Sequence, residues 1–353
     1  MTEKSSILRT GTEFFKILKF IAVALIITYV VQKTGGARLL ETIKSADVGW
    51  VAISAVCFFL SIALGSVQWF LLLRFQGVNV TWLSCFKIYY LGMFTNALIF
   101  NLAGDALRIY KLKKWKIDVT TGFLATFLDR FTGLFVLSLY SLIAVLIIWQ
   151  KGWFYGETVK PILFGTLFVF LGFTAGALAI ISRRVSRLFR FFFKMMGIKK
   201  VETFHDKLQE SLAVYRHQWG KMSLIILTSC GIHSLRILGH ACCAPALGVA
   251  ISCWYFFAFI PIISIATLIP LNLGGWGLPQ GISISLYNLP GVITAISDSP
   301  LSTDAVQLAA SSITFLPSAV FYVIMLMGGF FAFSKFQRKD TLNLKSAFIE
   351  RLK

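Results

Sequence analysis

NLAGDALRIYKLKKWK, residues 101–116, follows directly on the apolar run LGMFTNALIF at 91–100. An aspartate and an arginine thus stand three residues apart where a membrane helix should be finishing. Ionisable groups are costly at membrane depth, and by default they mark a functional path there. Asn101 and Gly104 read as a break in the chain, after which a helix restarts. On that helix Asp105 and Arg108 share one face of the first turn. A helix N-terminus offers free N–H groups and a partial positive charge, which suit an anion, and Arg108 adds a bidentate donor matched to phosphate. Lys111, Lys113, Lys114 and Lys116 follow as a basic funnel. The plainer reading makes Asp105 a helix cap and Arg108 an interfacial anchor.

The surroundings are those of a polytopic membrane protein. Of 353 residues 57% are hydrophobic and 15% aromatic, and the mean hydropathy is +0.77, outside the mix of a soluble domain. Apolar runs at 48–73, 161–181, 222–240 and 305–334 reach or approach the ~20 residues that a hydrocarbon core requires of a helix. The start, MTEKSSILRTGTEFFKILKFIAVALIITYVV, lacks a small-x-small cleavage site and reads as an uncleaved first span. The net charge of +19 is explained by Lys and Arg gathered on cytoplasmic loops, so no nucleic-acid partner is expected. Cys57, Cys85, Cys230, Cys242, Cys243 and Cys253 form no C-x-x-C pair and read as apolar packers.

Charge then sets the topology. Placing the N-terminus, residues 74–120, the 182–221 linker and the tail in the cytoplasm puts 27 Lys and Arg there against 5 outside. Both ends of 82–116 are then cytoplasmic, so this segment enters the membrane and returns as a re-entrant pair of half-helices. Residues 252–297 do the same from the outer side, broken at IPLNLGGWGLPQG (269–281). The expected fold is an all-α polytopic membrane protein with about six full transmembrane helices and two re-entrant hairpins. Residues 1–160 form a first half containing hairpin 82–116. Residues 161–334 form a second, with an interfacial linker helix at 183–220 and hairpin 252–297, and 335–353 is a basic cytoplasmic tail. Each half crosses an odd number of times, so the two are inverted repeats, a transporter layout with its site at the breaks. The alternative is a plain eight-span bundle.

Two further spans carry charge. In FLATFLDRFTGLF (123–135), Asp129 and Arg130 diverge by about 100° around a helix and so cannot face one partner. Asp129 with Arg108 is a candidate pair, either structural or part of a substrate path. In CGIHSLRILGH (230–240), His233, Arg236 and His240 recur on one helix face. Arg236 there requires an anion or a wet cavity. The linker stretch RRVSRLFRFFFKMMGIKK (183–200) interleaves Arg and Phe, as a helix lying on anionic lipid does. Neither H-E-x-x-H, a P-loop nor G-x-S-x-G occurs, and no metal or other cofactor is expected.

The blocks NLAGDALR (Asn101 to Arg108) and LDRFTGL (Leu128 to Leu134), with IPLNLGGWG (Ile269 to Gly277), resemble the conserved blocks of the lysylphosphatidylglycerol synthase transmembrane region, a flippase-like domain family. The resemblance runs nearly the length of the chain in order and spacing. The chain departs from the pattern at Ala103, where a second glycine is usual, and at Pro279 and Gln280, where an arginine and a glutamate are usual. Any carboxylate role at that second position is therefore not carried over. No stretch corresponds to the soluble aminoacyl-transferring domain of the synthases, so the resemblance implies a free-standing lipid-translocating unit. The expectation is an inner-membrane lipid flippase, a transporter and not an enzyme, with both termini cytoplasmic. Its ligand is an anionic lipid or a lipid-linked phosphate. The expected binding set is Asn101, Gly104, Asp105, Arg108, Asp129, Arg130, His233, Arg236, His240, Asn272, Gly274, Gly275, Gly277 and Gln280. Alternatives are an integral-membrane enzyme acting on a lipid-linked substrate, with Asp105 and Asp129 catalytic, and a non-catalytic partner subunit of a glycosyltransferase.

Overall fold

Four short polar side chains start four of the helices. Asp47 accepts from the Gly49 and Trp50 N–H groups at 2.7 and 3.1 Å, Thr81 from Ser84 at 3.4 Å, Asp118 from Thr120 at 2.9 Å and Ser302 from Ala305 at 3.2 Å. Each satisfies first-turn donors that the helix cannot satisfy itself. The structure is a computed structural model that describes residues 36–99, 102–153, 159–181, 219–267, 272–273, 276–297 and 300–333. The expected first span, linker residues 183–218, Asn101, Gly274, Gly275 and the 335–353 tail lie outside the described residues.

In chain order the described elements are α1 (Gly36–Lys44), α2 (Val48–Phe75), α3 (Trp82–Leu98), α4 (Ala103–Lys114), α5 (Val119–Gln150), α6 (Val159–Ile181), α7 (Trp219–Ala241), α8 (Cys243–Ala246), β1 (Val249–Ile251) and α9 (Cys253–Ala266). There follow β2 (Asn272–Leu273), β3 (Trp276–Gly277), α10 (Leu278–Tyr287), β4 (Ile293–Ile296), α11 (Thr303–Met327) and α12 (Phe330–Phe333). Val48–Phe75, Val119–Gln150, Gly220–Ala246 and Thr303–Met327 are each long and apolar enough to cross a membrane. With α6 beside them the chain is a multi-pass membrane protein.

The segments expected to be broken are broken. Helix α3 stops at Leu98 and α4 begins at Ala103, and the two pack on each other; α9 stops at Ala266 and α10 begins at Leu278, and these pack likewise. At 17, 12, 14 and 10 residues, each is shorter than the ~20 that a crossing takes. The two hairpins sit at opposite ends of α5. The α3–α4 hairpin shares a core with the first half of α5, built on Trp69, Ile88, Leu112, Leu124 and Leu128. The α9–α10 hairpin shares another with the second half, built on Leu137, Val145, Ile148, Phe259 and Tyr287.

One expectation is corrected. The fold is mostly helical but not all-α, because residues 288–297 do not continue α10. They turn at Gly291, whose φ is 80°, and β4 pairs antiparallel with β1, closing the base of the second hairpin. The β-branched run VIT (292–294) suits a strand better than a helix. Strands β2 and β3 make a second small ribbon at the break itself.

Helix packing is duplicated. Helices α2 and α7 pack on each other, and several of the other contacts between the longer helices come in matched pairs. Thus α3 on α11 matches α9 on α5, α4 on α5 matches α10 on α11, α2 on α11 matches α7 on α5, and α1 on α11 matches α6 on α5.

Candidate functional site

The α3–α4 hairpin closes at glycine. A Cβ on Gly92 would lie 3.1 Å from the Gly104 carbonyl oxygen, and one on Gly104 would strike the Gly92 peptide. That proximity lets Asn96 Oδ1 accept the Gly104 N–H at 2.7 Å. Leu102, at the capping position, has no side-chain bond to offer, so Asn96 serves from the neighbouring helix. The Gly104 N–H expected to await an anion is therefore already bonded inside the protein.

Asp105 and Arg108 sit one turn apart on α4, and Arg108 Nη2 donates to Asp105 Oδ1. Arg108 Nη1 donates to Asp129 Oδ2 at 3.1 Å, and Arg130 Nε donates to Asp105 Oδ2 at 2.8 Å. Adjacent on α5 but diverging around it, Asp129 and Arg130 take different partners, as the helical geometry requires. Gln68 Nε2 donates to Asp129 Oδ1 at 3.1 Å and to Thr132 at 3.2 Å, while Thr228 donates to Gln68 Oε1 at 3.3 Å. All four carboxylate oxygens thus have donors. The Arg108 guanidinium also lies over the Tyr89 and Trp69 rings, at 4.6 and 5.5 Å.

Such an arrangement is what burial demands. The Arg108 and Asp129 side chains are 5% and 8% exposed, and an ion out of water is tolerated only when it is paired and fully bonded. Among the described residues, two acids and two bases balance in this network.

A cavity of about 240 Å³ opens beside it. Helix α5 contributes Asp129, Arg130 and Gly133 to its lining and α4 contributes Arg108; His233, Arg236 and His240 come from α7 and Pro279 and Gln280 from α10. Asp105 meets the cavity only through Arg108 and Arg130. The three basic residues expected on one helix face do share this cavity. Their surroundings differ: the Arg236 guanidinium lies 5.4 Å over Phe321, and His240 meets Phe58 edge-on at 5.2 Å. Arg236 Nε and His233 Nδ1 are buried with no hydrogen-bond partner.

At the second hairpin Gln280 Oε1 accepts the Gly277 N–H at 2.7 Å, capping α10. Gly277 has φ 127°, a region closed to side chains with a Cβ. Asn272 contributes its backbone to the strand pair with Gly277. The matched hairpins also correspond at two positions. Gln280 is third in α10 as Asp105 is in α4, and Ser283 is sixth as Arg108 is. Where Arg108 joins α4 to Asp129 of α5, Ser283 joins α10 to Thr314 of α11, hydroxyl to hydroxyl at 2.8 Å.

The sequence reading missed Gln68, Tyr89, Trp69, Asn96 and Thr132. Gln68 and Asn96 had a usable signal, each an uncharged amide far inside an apolar run. Among the described residues, no group of three or more His, Cys, Asp or Glu is placed to hold a metal.

A family profile described as lysylphosphatidylglycerol synthase TM region matches residues 16–297. No curated protein matches the chain.

Proposed function

Because the chain belongs to the lysylphosphatidylglycerol synthase transmembrane-region family, we propose that it is a lipid translocase moving an anionic phospholipid, or a polyprenyl-phosphate-linked lipid, between the leaflets of the inner membrane. The observation that carries the reading is the cavity, into which a charged hairpin, a cationic helix face and a second hairpin converge among membrane-spanning helices. A head group occupies this polar space while its chains stay in the bilayer.

The hairpins are re-entrant, one from each face. Their short helices and their separate cores at opposite ends of α5 support this. The two halves are inverted repeats, supported by the exchanged packing about the α2–α7 contact. Both termini are cytoplasmic, as the Lys and Arg distribution favours. The Asp105–Arg108–Asp129–Arg130 network positions the first hairpin and exchanges partners as the cavity changes sides. Asp105 and Asp129 spend every carboxylate oxygen on donors within the protein, which favours transport over acid–base catalysis.

The test is transbilayer movement of a fluorescent anionic phospholipid in proteoliposomes. Protein-dependent movement in the wild type, lost in Asp129→Asn with its fold intact, is expected. No movement in any vesicle composition, from protein that remains folded, would favour a partner-subunit role.

A further inference from the structure

Among the described residues around the cavity, charge pairing leaves one cation over. Asp105 and Asp129 are matched by Arg108 and Arg130 in a bonded network. Arg236 is not part of it and has no acidic partner among the described residues; its guanidinium lies over the face of Phe321. Its Nε is buried without a hydrogen-bond partner and it lines the cavity. Arginine does not escape this by losing its proton. One turn earlier on α7, His233 is 7% exposed, lines the same cavity, and leaves Nδ1 without a partner. On α5, Gly133 leaves room for that ring: a Cβ there would lie 2.7 Å from His233 Nε2.

A half-buried arginine whose Nε is buried without a partner, beside a buried histidine whose Nδ1 has none, is costly for the empty protein and is relieved by an anion that accepts from both. Two strong acceptors of the cavity wall are already committed, Asp129 to Arg108 and Gln68, and Gln280 Oε1 to Gly277. The balance of one unmatched positive charge also limits what is accepted. Histidine, with an ordinary pKa of about 6.5, is mostly neutral at pH 7 and adds only a minor share of charge.

We propose that Arg236, with His233, is the anion contact of the cavity, and that the site selects a head group carrying a single negative charge, a phosphodiester, over a phosphomonoester or a diphosphate ester. This rests on the translocase reading and adds to it the contact residue and the charge class. A phosphomonoester carries about −1.5 to −2 at neutral pH, which would bury an excess negative charge beside Asp129.

The experiment is native mass spectrometry of detergent-purified protein given equal amounts of phosphatidylglycerol (one charge), phosphatidic acid (nearly two) and phosphatidylcholine (net zero), for wild type, Arg236→Gln and Arg236→Lys. Deacylated glycerophosphoglycerol serves as a competitor. The wild type should retain phosphatidylglycerol over phosphatidic acid and phosphatidylcholine, and Arg236→Gln should weaken that retention by about tenfold or more, the scale of one lost charged contact. Arg236→Lys should keep the ranking, and it carries the test if Arg236→Gln does not fold. Equal or better retention of phosphatidic acid by wild type overturns the charge class, and unchanged retention by Arg236→Gln overturns the contact, both leaving the lipid site standing. Displacement by glycerophosphoglycerol at the lipid's own concentration would show a soluble phosphodiester to be the ligand and overturn the lipid assignment. If wild type retains no discrete lipid at all, the translocase reading itself falls.

Discussion

Gly92 and Gly104 face each other across the first hairpin so closely that Gly104 has no room for a methyl group and Gly92 has room only if its neighbours shift. The contact brings α4 near enough for Asn96 to cap it and for Arg108 to reach Asp129. The charged network therefore depends on two residues that carry no side chain.

Gly104→Ala should cost about 1–3 kcal/mol, the usual penalty for overpacking, and should be worse than Gly92→Ala, whose added carbon sits at 3.1 Å from its nearest neighbours. Gly165→Ala, on α6 with nothing within 4 Å of the new carbon, is the control and should be near neutral. Thermal unfolding in detergent ranks the three.

Arg108→Met should destabilise by about 3–5 kcal/mol, since it leaves Asp129 buried without its ionic partner. Combined with Asp129→Leu it should recover much of that loss, because the pair then leaves together. A double-mutant cycle by chemical denaturation reads the coupling, and simple additivity of the two single changes would argue that the network is not cooperative.

Ser283→Ala, at the matched position of the second hairpin, should cost only about 1 kcal/mol. Thr314 keeps an acceptor at the Ala310 carbonyl, 2.8 Å away, after its hydroxyl partner is gone. The same denaturation assay should place this variant well above Arg108→Met in stability.

Gly133→Ala should move the His233 ring from its place at the cavity wall. Stability should fall by about 1–3 kcal/mol, with translocation falling further than stability alone explains. Rates in proteoliposomes, normalised to folded protein, separate the two effects.

Much of this site was legible because charge in an apolar chain is conspicuous. Asp105, Arg108, Asp129 and Arg236 stand out in the sequence, and helical spacing alone puts Asp105 and Arg108 together and separates Asp129 from Arg130. The breaks were legible from Asn, Gly and Pro. The uncharged partners were less so. Gln68, Thr132 and Thr228 become a relay only when α2, α5 and α7 are assembled, and Tyr89 and Trp69 look like ordinary membrane aromatics until Arg108 lies over them. The β1–β4 ribbon was missed because three or four residues give too little alternation to outweigh helical surroundings.

Among the described residues, the duplicated contact between hairpin and spanning helix is an ion pair in one copy and a hydroxyl pair in the other. Under the proposed inversion, exchanging the two membrane faces maps the Arg108–Asp129 contact between α4 and α5 onto the Ser283–Thr314 contact between α10 and α11. Parting α4 from α5 breaks an ion pair, whereas parting α10 from α11 breaks a hydroxyl contact. The two open states are then unequal in energy. At rest such a protein idles toward one leaflet, and its ligand, not its scaffold, must supply the reason to turn around.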